Sequence, residues 1–420
     1  MVRWSRNRVI TACAAPFPLP TVQLINFRAV GRRGFSIDGE WEEGRIGGVD
    51  SITQAALGAA VGEAVLGKKM GNRAIGWGAL AGTLPDLDVV LSPFFSTAGK
   101  LELHRGASHS ILVMVLATVL LAPWLAKLWR NDRISKWRAG TFVFLAWSTH
   151  VLIDCFTVYG TSVFWPFAER RAAWNNLFII DPLFTAPLIV SLGWLAFLRK
   201  KKEYSRRRKI GAWGLGLSAA YVGLSFLAKE RIDTAVEIDL ARRGVSYSRR
   251  IEAPAPFNIL LWRVMVDRGD EIWLGYRSIF EGGDAPVRWT VVPRGREAFA
   301  QVADLPEART LDWFSDGWWV ARSHSKGVWI ADLRLGELRE WGRREGKVDL
   351  RAVFSWVLEP AAKSDPLRQI HVERGTIGEL LVRMAQRIAG DTEAWEGAPR
   401  LAGIHGSSRA LLPEDLEAID

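Results

Sequence analysis

Six apolar segments separated by short basic loops constrain this chain before any other feature does. They fall at residues 52–66, 74–91, 108–129, 139–159, 182–198 and 210–228. The last four are expected to be transmembrane helices, near the length needed to cross roughly 30 Å of hydrocarbon. The first two are rich in Gly and Ala, with Gly58 and Gly62 in the first. They are read as close-packed or re-entrant, because small residues let helix backbones approach. Bulk composition conceals all this, since 49 % hydrophobic and 24 % charged residues are close to a globular average.

The net charge of +10 does not point to nucleic acid, because much of the excess is clustered between apolar segments. Arg130, Arg133, Lys136 and Arg138 form one cluster, residues 199–209 a second, and Lys68, Lys69 and Arg73 a third. Short basic loops of this kind are retained on the cytoplasmic side. The expected partner is therefore a lipid bilayer, with residues 160–181 and everything after Ala228 on the outer side. That orientation carries Asp50, Asp86, Asp88, His104, His109 and Asp154 to the same outer face. The charge rule does not require this convergence.

After Ala228 the long apolar runs stop, and tryptophans are scattered from Trp262 to Trp356. Alternation over 271–280 and short runs at 257–266, 287–292, 328–333 and 352–358 predict strands. Residues 376–389 predict a helix. The fold expected is thus a polytopic α-helical membrane domain (49–228) followed by a small α+β extramembrane domain (229–420). Its aromatic residues are read as resting on the membrane surface. The first 48 residues, rich in Arg, Gly and Pro, read as disordered or as an upstream extension. A valine-type start codon would make Val49 the first residue.

With only Cys13 and Cys155, no disulfide framework or CxxC knuckle exists, so any metal must be held by His, Asp and Glu. His150 and Asp154 are four apart on a predicted helix and share one face. Such a pair can chelate an ion, or the carboxylate can orient the imidazole from behind. Pro85-Asp86-Leu87-Asp88 places two carboxylates where proline breaks a helix. His104-Arg105-Gly106-Ala107-Ser108-His109-Ser110 leads into the next one, with Ser108 as a candidate cap. Singly, each motif also has a structural reading, as an interhelical hydrogen bond or an ordinary turn. Jointly they favour a site, because ionisable side chains at membrane depth are costly and mark functional cavities.

Four motifs carry a resemblance: Asp50-Ser51-Ile52-Thr53-Gln54, Gly82-Thr83-Leu84-Pro85-Asp86-Leu87-Asp88, the His104–His109 stretch, and His150-Val151-Leu152-Ile153-Asp154 with Thr157-Val158-Tyr159-Gly160-Thr161 and Trp165-Pro166-Phe167 after it. In order and spacing the chain resembles the YdjM-like bacterial inner-membrane, metal-dependent hydrolases over about residues 49–228. Many members have His where this chain has Gln54, which removes one candidate ligand. The HxxxD helix is also distantly similar to zinc-dependent phospholipase C sites, which implies a phosphoester substrate.

The resemblance implies a metal-dependent hydrolase, and a site at the lipid boundary points to a lipid or lipid-linked (phospho)ester as its substrate. Asp86, His109, His150 and Asp154 would hold zinc, with manganese or magnesium as alternatives. Asp88 and His104 would complete or orient the shell, Asp88 serving as general base if it is not a ligand. Arg105 would pair with a substrate phosphate or carboxylate. Thr157, Tyr159, Thr161 and Trp165 would line the mouth. The rival reading is a non-catalytic transporter or ion-handling protein using the same residues as a relay. Against it, no internal repeat of the kind common in transporters is visible. His324, His371 and His405 are isolated and read as surface histidines.

Overall fold

The computed structural model describes residues 43–198, 203–337, 352–370, 377–396 and 410–411, with side chains from Ser51 onward up to residue 396. Expectations for residues 1–42, the Asp50 side chain, part of the 199–209 cluster, His371 and His405 lie outside the described residues.

Helix α1 (Glu43–Met70) and helix α2 (Asn72–Thr83) form a hairpin turned at Gly71, where φ is +56° and glycine carries no steric penalty. Their backbones touch. A Cβ added to Gly58 would lie 2.4 Å from the Gly78 carbonyl oxygen, and one on Gly82 would lie 2.5 Å from that of Gln54. The small-residue segments are therefore close-packed, as expected. The second apolar segment does not run straight: α2 gives way to a 3₁₀ segment, Pro85–Phe94, at a bend of 46°. Pro85 has no N–H to continue the ladder.

Short helix α3 (Thr97–Leu103) follows, then α4 (Ile111–Leu128), α5 (Lys136–Cys155), α6 (Pro182–Phe197) and α7 (Tyr204–Arg242). Ser110, Ser135 and Asp181 cap α4, α5 and α6 through their side-chain oxygens. The four helices expected to span divide into two kinds. Among the described residues, α4 and α7 are long and apolar enough to cross a membrane, at mean hydropathies of 2.2 and 1.5, and the bent α2 pair adds a third if it counts as one span. Helix α6 is apolar but shorter, at 16 residues. Helix α5 spends its buried face on His150 and Asp154, and its first turn on Lys136 and Arg138.

Helix α7 does not stop at Ala228. Its 39 residues reach about 58 Å at 1.5 Å per residue, nearly twice the hydrocarbon thickness. The last turns bury Ile232, Val236 and Leu240 against Trp262, Trp273 and Trp289. One rod thus carries the membrane half into the extramembrane domain.

That domain is built on two antiparallel sheets. The first has the order β1 (Arg249–Pro254), β2 (Leu261–Asp267), β3 (Glu271–Ser278), β4 (Trp289–Pro293) and β9 (Ala410–Leu411). The second runs β5 (Trp319–His324), β6 (Gly327–Glu337), β7 (Ala352–Leu358) and β8 (Leu367–Ile370). Met265, Ile272, Leu274 and Val292 of the first sheet share a core with Val320, Ala331 and Leu333 of the second. Helices α8 (Arg296–Ala300) and α9 (Pro306–Phe314) join the sheets, and α10 (Ile377–Ile388) and α11 (Glu393–Glu396) pack behind the first. The five expected strands and the C-terminal helix are present, within a few residues. The tryptophans do something else than expected: Trp262, Trp273, Trp289, Trp318 and Trp356 are at most 2 % exposed and form the core, not a membrane-facing belt.

Candidate metal centre

Among the described residues, one group of four His and Asp side chains offers ligand atoms within 4.8 Å of one another: Asp86, His109, His150 and Asp154. Three elements supply them, namely the 3₁₀ segment after α2, the turn before α4, and α5. The four residues are those expected as metal ligands.

His109 Nε2 lies 3.1 Å from His150 Nε2, 3.3 Å from Asp86 Oδ1 and 3.2 Å from Asp154 Oδ2. His150 Nε2 lies 3.3 Å from Asp86 Oδ1 and 3.4 Å from Asp154 Oδ2. These five separations are 3.1–3.4 Å and all four atoms lie within 4.8 Å of one another, a spacing at which His and Asp side chains can share one divalent ion.

Proton bookkeeping makes the same point. His150 Nδ1 is 2.6 Å from the Gly82 carbonyl, so Nδ1 carries the proton and Nε2 turns its lone pair inward. His109 Nδ1 is 2.9 Å from Ser108 Oγ, whose hydroxyl donates to Asp88 Oδ2 at 2.8 Å. His109 then donates to the serine from Nδ1, so in its neutral form the Nε2 carries a lone pair. Asp154 Oδ2 has no hydrogen-bond partner, although it is buried. With both imidazoles neutral, two ring nitrogens and two carboxylate oxygens turn lone pairs toward one another. In that state the cluster is able to hold a divalent cation.

Charge agrees with geometry. Asp86, Asp88 and Asp154 bring three carboxylates to a buried region in which Arg105 is the paired guanidinium. A divalent ion cancels the remaining excess, which burial would otherwise make expensive.

The surrounding residues hold the ligands in place. Gln54 Nε2 donates to Asp154 Oδ1 at 2.8 Å, and Arg105 Nη2 reaches the same oxygen at 3.2 Å. With Oδ1 occupied, Oδ2 is the oxygen left for the cluster. Gln54 thus stands beside the ligand set and orients it. Arg105, at φ +56°, is only 2 % exposed and also donates to Thr157 Oγ1 at 2.8 Å. Its guanidinium lies 5.0 Å from the centre of the Tyr159 ring.

Asp88 is not among the four gathered donors. It accepts from Ser108, from the Arg105 backbone N–H at 3.3 Å and from His104 Nδ1 at 3.3 Å. His104 is 31 % exposed at its side chain, against 5 % for Asp88. Of the residues expected at the mouth, Thr157, Tyr159 and Thr161 are buried, and Trp165 is exposed. Sequence reasoning missed the Gly82 carbonyl and the orienting roles of Gln54 and Ser108. Only the position of Ser108 directly before His109 hinted at the last of these.

Two comparisons with known proteins bear on this half of the chain. The family described as YdjM inner membrane protein matches residues 49–232. The chain is similar to the inner membrane protein YbcI of Escherichia coli (strain K12), 31 % identical over 129 residues, covering 30 % of this chain and 72 % of that protein. No solved structure matches significantly.

Proposed function

The chain belongs to the YdjM family of bacterial inner membrane proteins, and from that premise we propose that it is a membrane-embedded, metal-dependent hydrolase centred on Asp86, His109, His150 and Asp154. The observation that carries the reading is the convergence of four candidate ligand atoms, two imidazole nitrogens and two carboxylate oxygens, at metal-binding spacing. Mixed imidazole and carboxylate ligation favours zinc, with manganese or magnesium as alternatives. When bound, such an ion supplies Lewis acidity and eases the deprotonation of water.

The chain's own residues divide the remaining work. Asp88 accepts the Nδ1 proton of His104, which leaves the His104 Nε2 lone pair free on a half-exposed ring. That arrangement supports His104 as the group that takes and returns a proton, with Asp88 holding its tautomer from behind. Asp88 itself is saturated by donors and is the weaker candidate for a base. Arg105 is committed to Asp154 and Thr157, so its burial supports a positioning role over contact with a substrate phosphate. The substrate we assign is a lipid or lipid-linked (phospho)ester, with the extramembrane domain on the outer side of the inner membrane.

The test is elemental analysis of protein purified without chelators, comparing wild type with His150→Ala and Asp154→Ala. Wild type is expected to hold a stoichiometric divalent metal that both variants lose. A wild-type preparation free of bound metal would overturn the hydrolase reading and favour a proton or ion relay built on the same residues.

A further inference from the structure

We infer that the metal centre is entered from within the bilayer, past Asp86, by a membrane amphiphile whose chains lie along the exposed apolar face of residues 87–95. The inference deepens the hydrolase reading and rests on it only for the chemistry after entry.

Three observations point the same way. The first is which ligand is open. The side chains of His109, His150 and Asp154 are 0–2 % exposed, whereas that of Asp86 is 19 % exposed. Whatever reaches the cluster arrives on the Asp86 side.

The second is what covers the centre elsewhere. Ala98 and Leu101 of α3 and Tyr159 share a buried core with Leu311 and Phe314 of α9 and with Trp319 and Trp356. Hydrogen bonds tie the same seam: Thr310 Oγ1 with Glu102 Oε1 at 2.8 Å, Trp313 Nε1 to the Glu169 carbonyl at 2.9 Å, and the Thr97 N–H to Asp365 Oδ2 at 2.6 Å. Arg171 is held between the rings of Tyr159, Trp313 and Phe314, at 4.7, 5.3 and 5.0 Å. The extramembrane domain is therefore a fixed cover over the segments that carry His104, Arg105 and Thr157.

The third is the surface on the open side. Asp86 is followed by Leu87, Val89, Val90 and Leu91, each 48–64 % exposed, and by Phe94 at 83 %. His109 leads likewise into exposed Ile111 and Leu112 at the start of the α4 span. The 3₁₀ segment is the second arm of a pair apolar enough to lie in a membrane, so its face continues the lipid-facing surface of the helices. Water is a poor match for this surface, and acyl chains are a good one. A headgroup linkage beside Asp86 then sits at the depth where the ionisable residues lie.

The test places a photoreactive benzoylphenylalanine at Val90 in the full chain, reconstituted in vesicles of phosphatidylethanolamine and phosphatidylglycerol. Leu120, 70 % exposed on the α4 span, serves as a lipid-facing reference, and exposed Asp304 on the extramembrane domain as an aqueous one. Illumination is expected to add the mass of one phospholipid at Val90 and at Leu120, and none at Asp304. Adducts at Leu120 without any at Val90 would overturn the inference. The readout needs no turnover. If the wild type proves metal-free while Val90 still captures lipid, the hydrolase reading falls and bilayer access stands.

Discussion

His150 Nδ1 lies 2.6 Å from the carbonyl oxygen of Gly82, an acceptor set free by the break at Pro85. In a tightened final turn the carbonyl of residue 82 would receive the N–H of residue 85, and proline has none. An orphan carbonyl inside a membrane protein needs a donor. The imidazole of His150 supplies it, and in doing so fixes the tautomer that points Nε2 at the cluster. The helix break and the ligand are two parts of one device.

Replacing Pro85 should therefore disturb metal binding without touching a ligand. In Pro85→Ala the restored N–H competes for the Gly82 or Ala81 carbonyl and lets α2 run straighter. Metal affinity is expected to fall roughly 10- to 100-fold, the usual effect of losing an orienting partner. Competition with a calibrated chelator in detergent would read it. Unchanged affinity would show that His150 is oriented by something other than Gly82.

Ser108 and His104 should separate two functions that lie side by side. Ser108→Ala cuts the link between His109 Nδ1 and Asp88, so metal affinity should drop by about tenfold or more. His104→Ala removes a group outside the ligand set, so the metal content should stay stoichiometric while hydrolysis of an ester or phosphoester probe is lost. General acid–base groups contribute about 10²–10⁴-fold, which sets the size of the expected loss. Metal lost with His104 would place that residue among the ligands.

The membrane half was legible because its signals are chemical and local. Apolar runs, basic loops and ionisable residues at membrane depth each carry a direct energetic meaning, and they led to Asp86, His109, His150 and Asp154. The site's supports were harder to see. Gln54 read as a missing ligand, since sequence cannot show that its amide reaches Asp154 Oδ1. The Gly82 acceptor is backbone and leaves no mark in residue type. Asp88 read as a general base if not a ligand, and sequence could not show the three donors that its carboxylate accepts from. The tryptophans misled for a different reason. An aromatic ring serves a sheet core as well as a membrane surface, and only their burial, against α7 for Trp262, Trp273 and Trp289 and between the sheets and α9 for Trp318 and Trp356, decides between them.

The glycine contact between α1 and α2 should be intolerant of a single methyl. A Cβ at Gly58 meets the Gly78 carbonyl oxygen at 2.4 Å and the Gly82 Cα at 2.6 Å, and backbone cannot swing aside as a side chain can. Gly58→Ala is expected to cost about 1–3 kcal/mol, and to weaken metal binding by shifting Gly82 away from His150. Gly76 is the control, because nothing lies within 4 Å of its would-be Cβ. Gly76→Ala should be neutral or stabilising by roughly 0.5–1 kcal/mol, as relief of helix entropy predicts. Thermal unfolding of both variants in the same detergent makes the comparison. Equal melting points would remove the argument for backbone contact.

Asp267 should give the extramembrane domain its acid sensitivity. Burial pushes the carboxyl pKa up, but the Gly269 N–H and the guanidinium groups of Arg294 and Arg249 outweigh it and hold the group below the usual carboxylate range. Arg294 Nη1 lies 2.9 Å from both carboxylate oxygens, Arg249 Nε 3.1 Å from one, and the Gly269 N–H 2.9 Å from the other. Because the folded-state pKa is depressed, the ionised group stabilises fully above the unfolded value of about 3.9. That stability is lost as pH falls from there through the folded value. Asp267→Asn removes the charge at every pH and should cost about 1.5–3 kcal/mol at neutrality. It should also flatten the fall in melting temperature between about pH 5 and pH 3, where wild-type Asp267 begins to lose its advantage. Parallel wild-type and variant curves over that range would assign the acid sensitivity to another carboxylate.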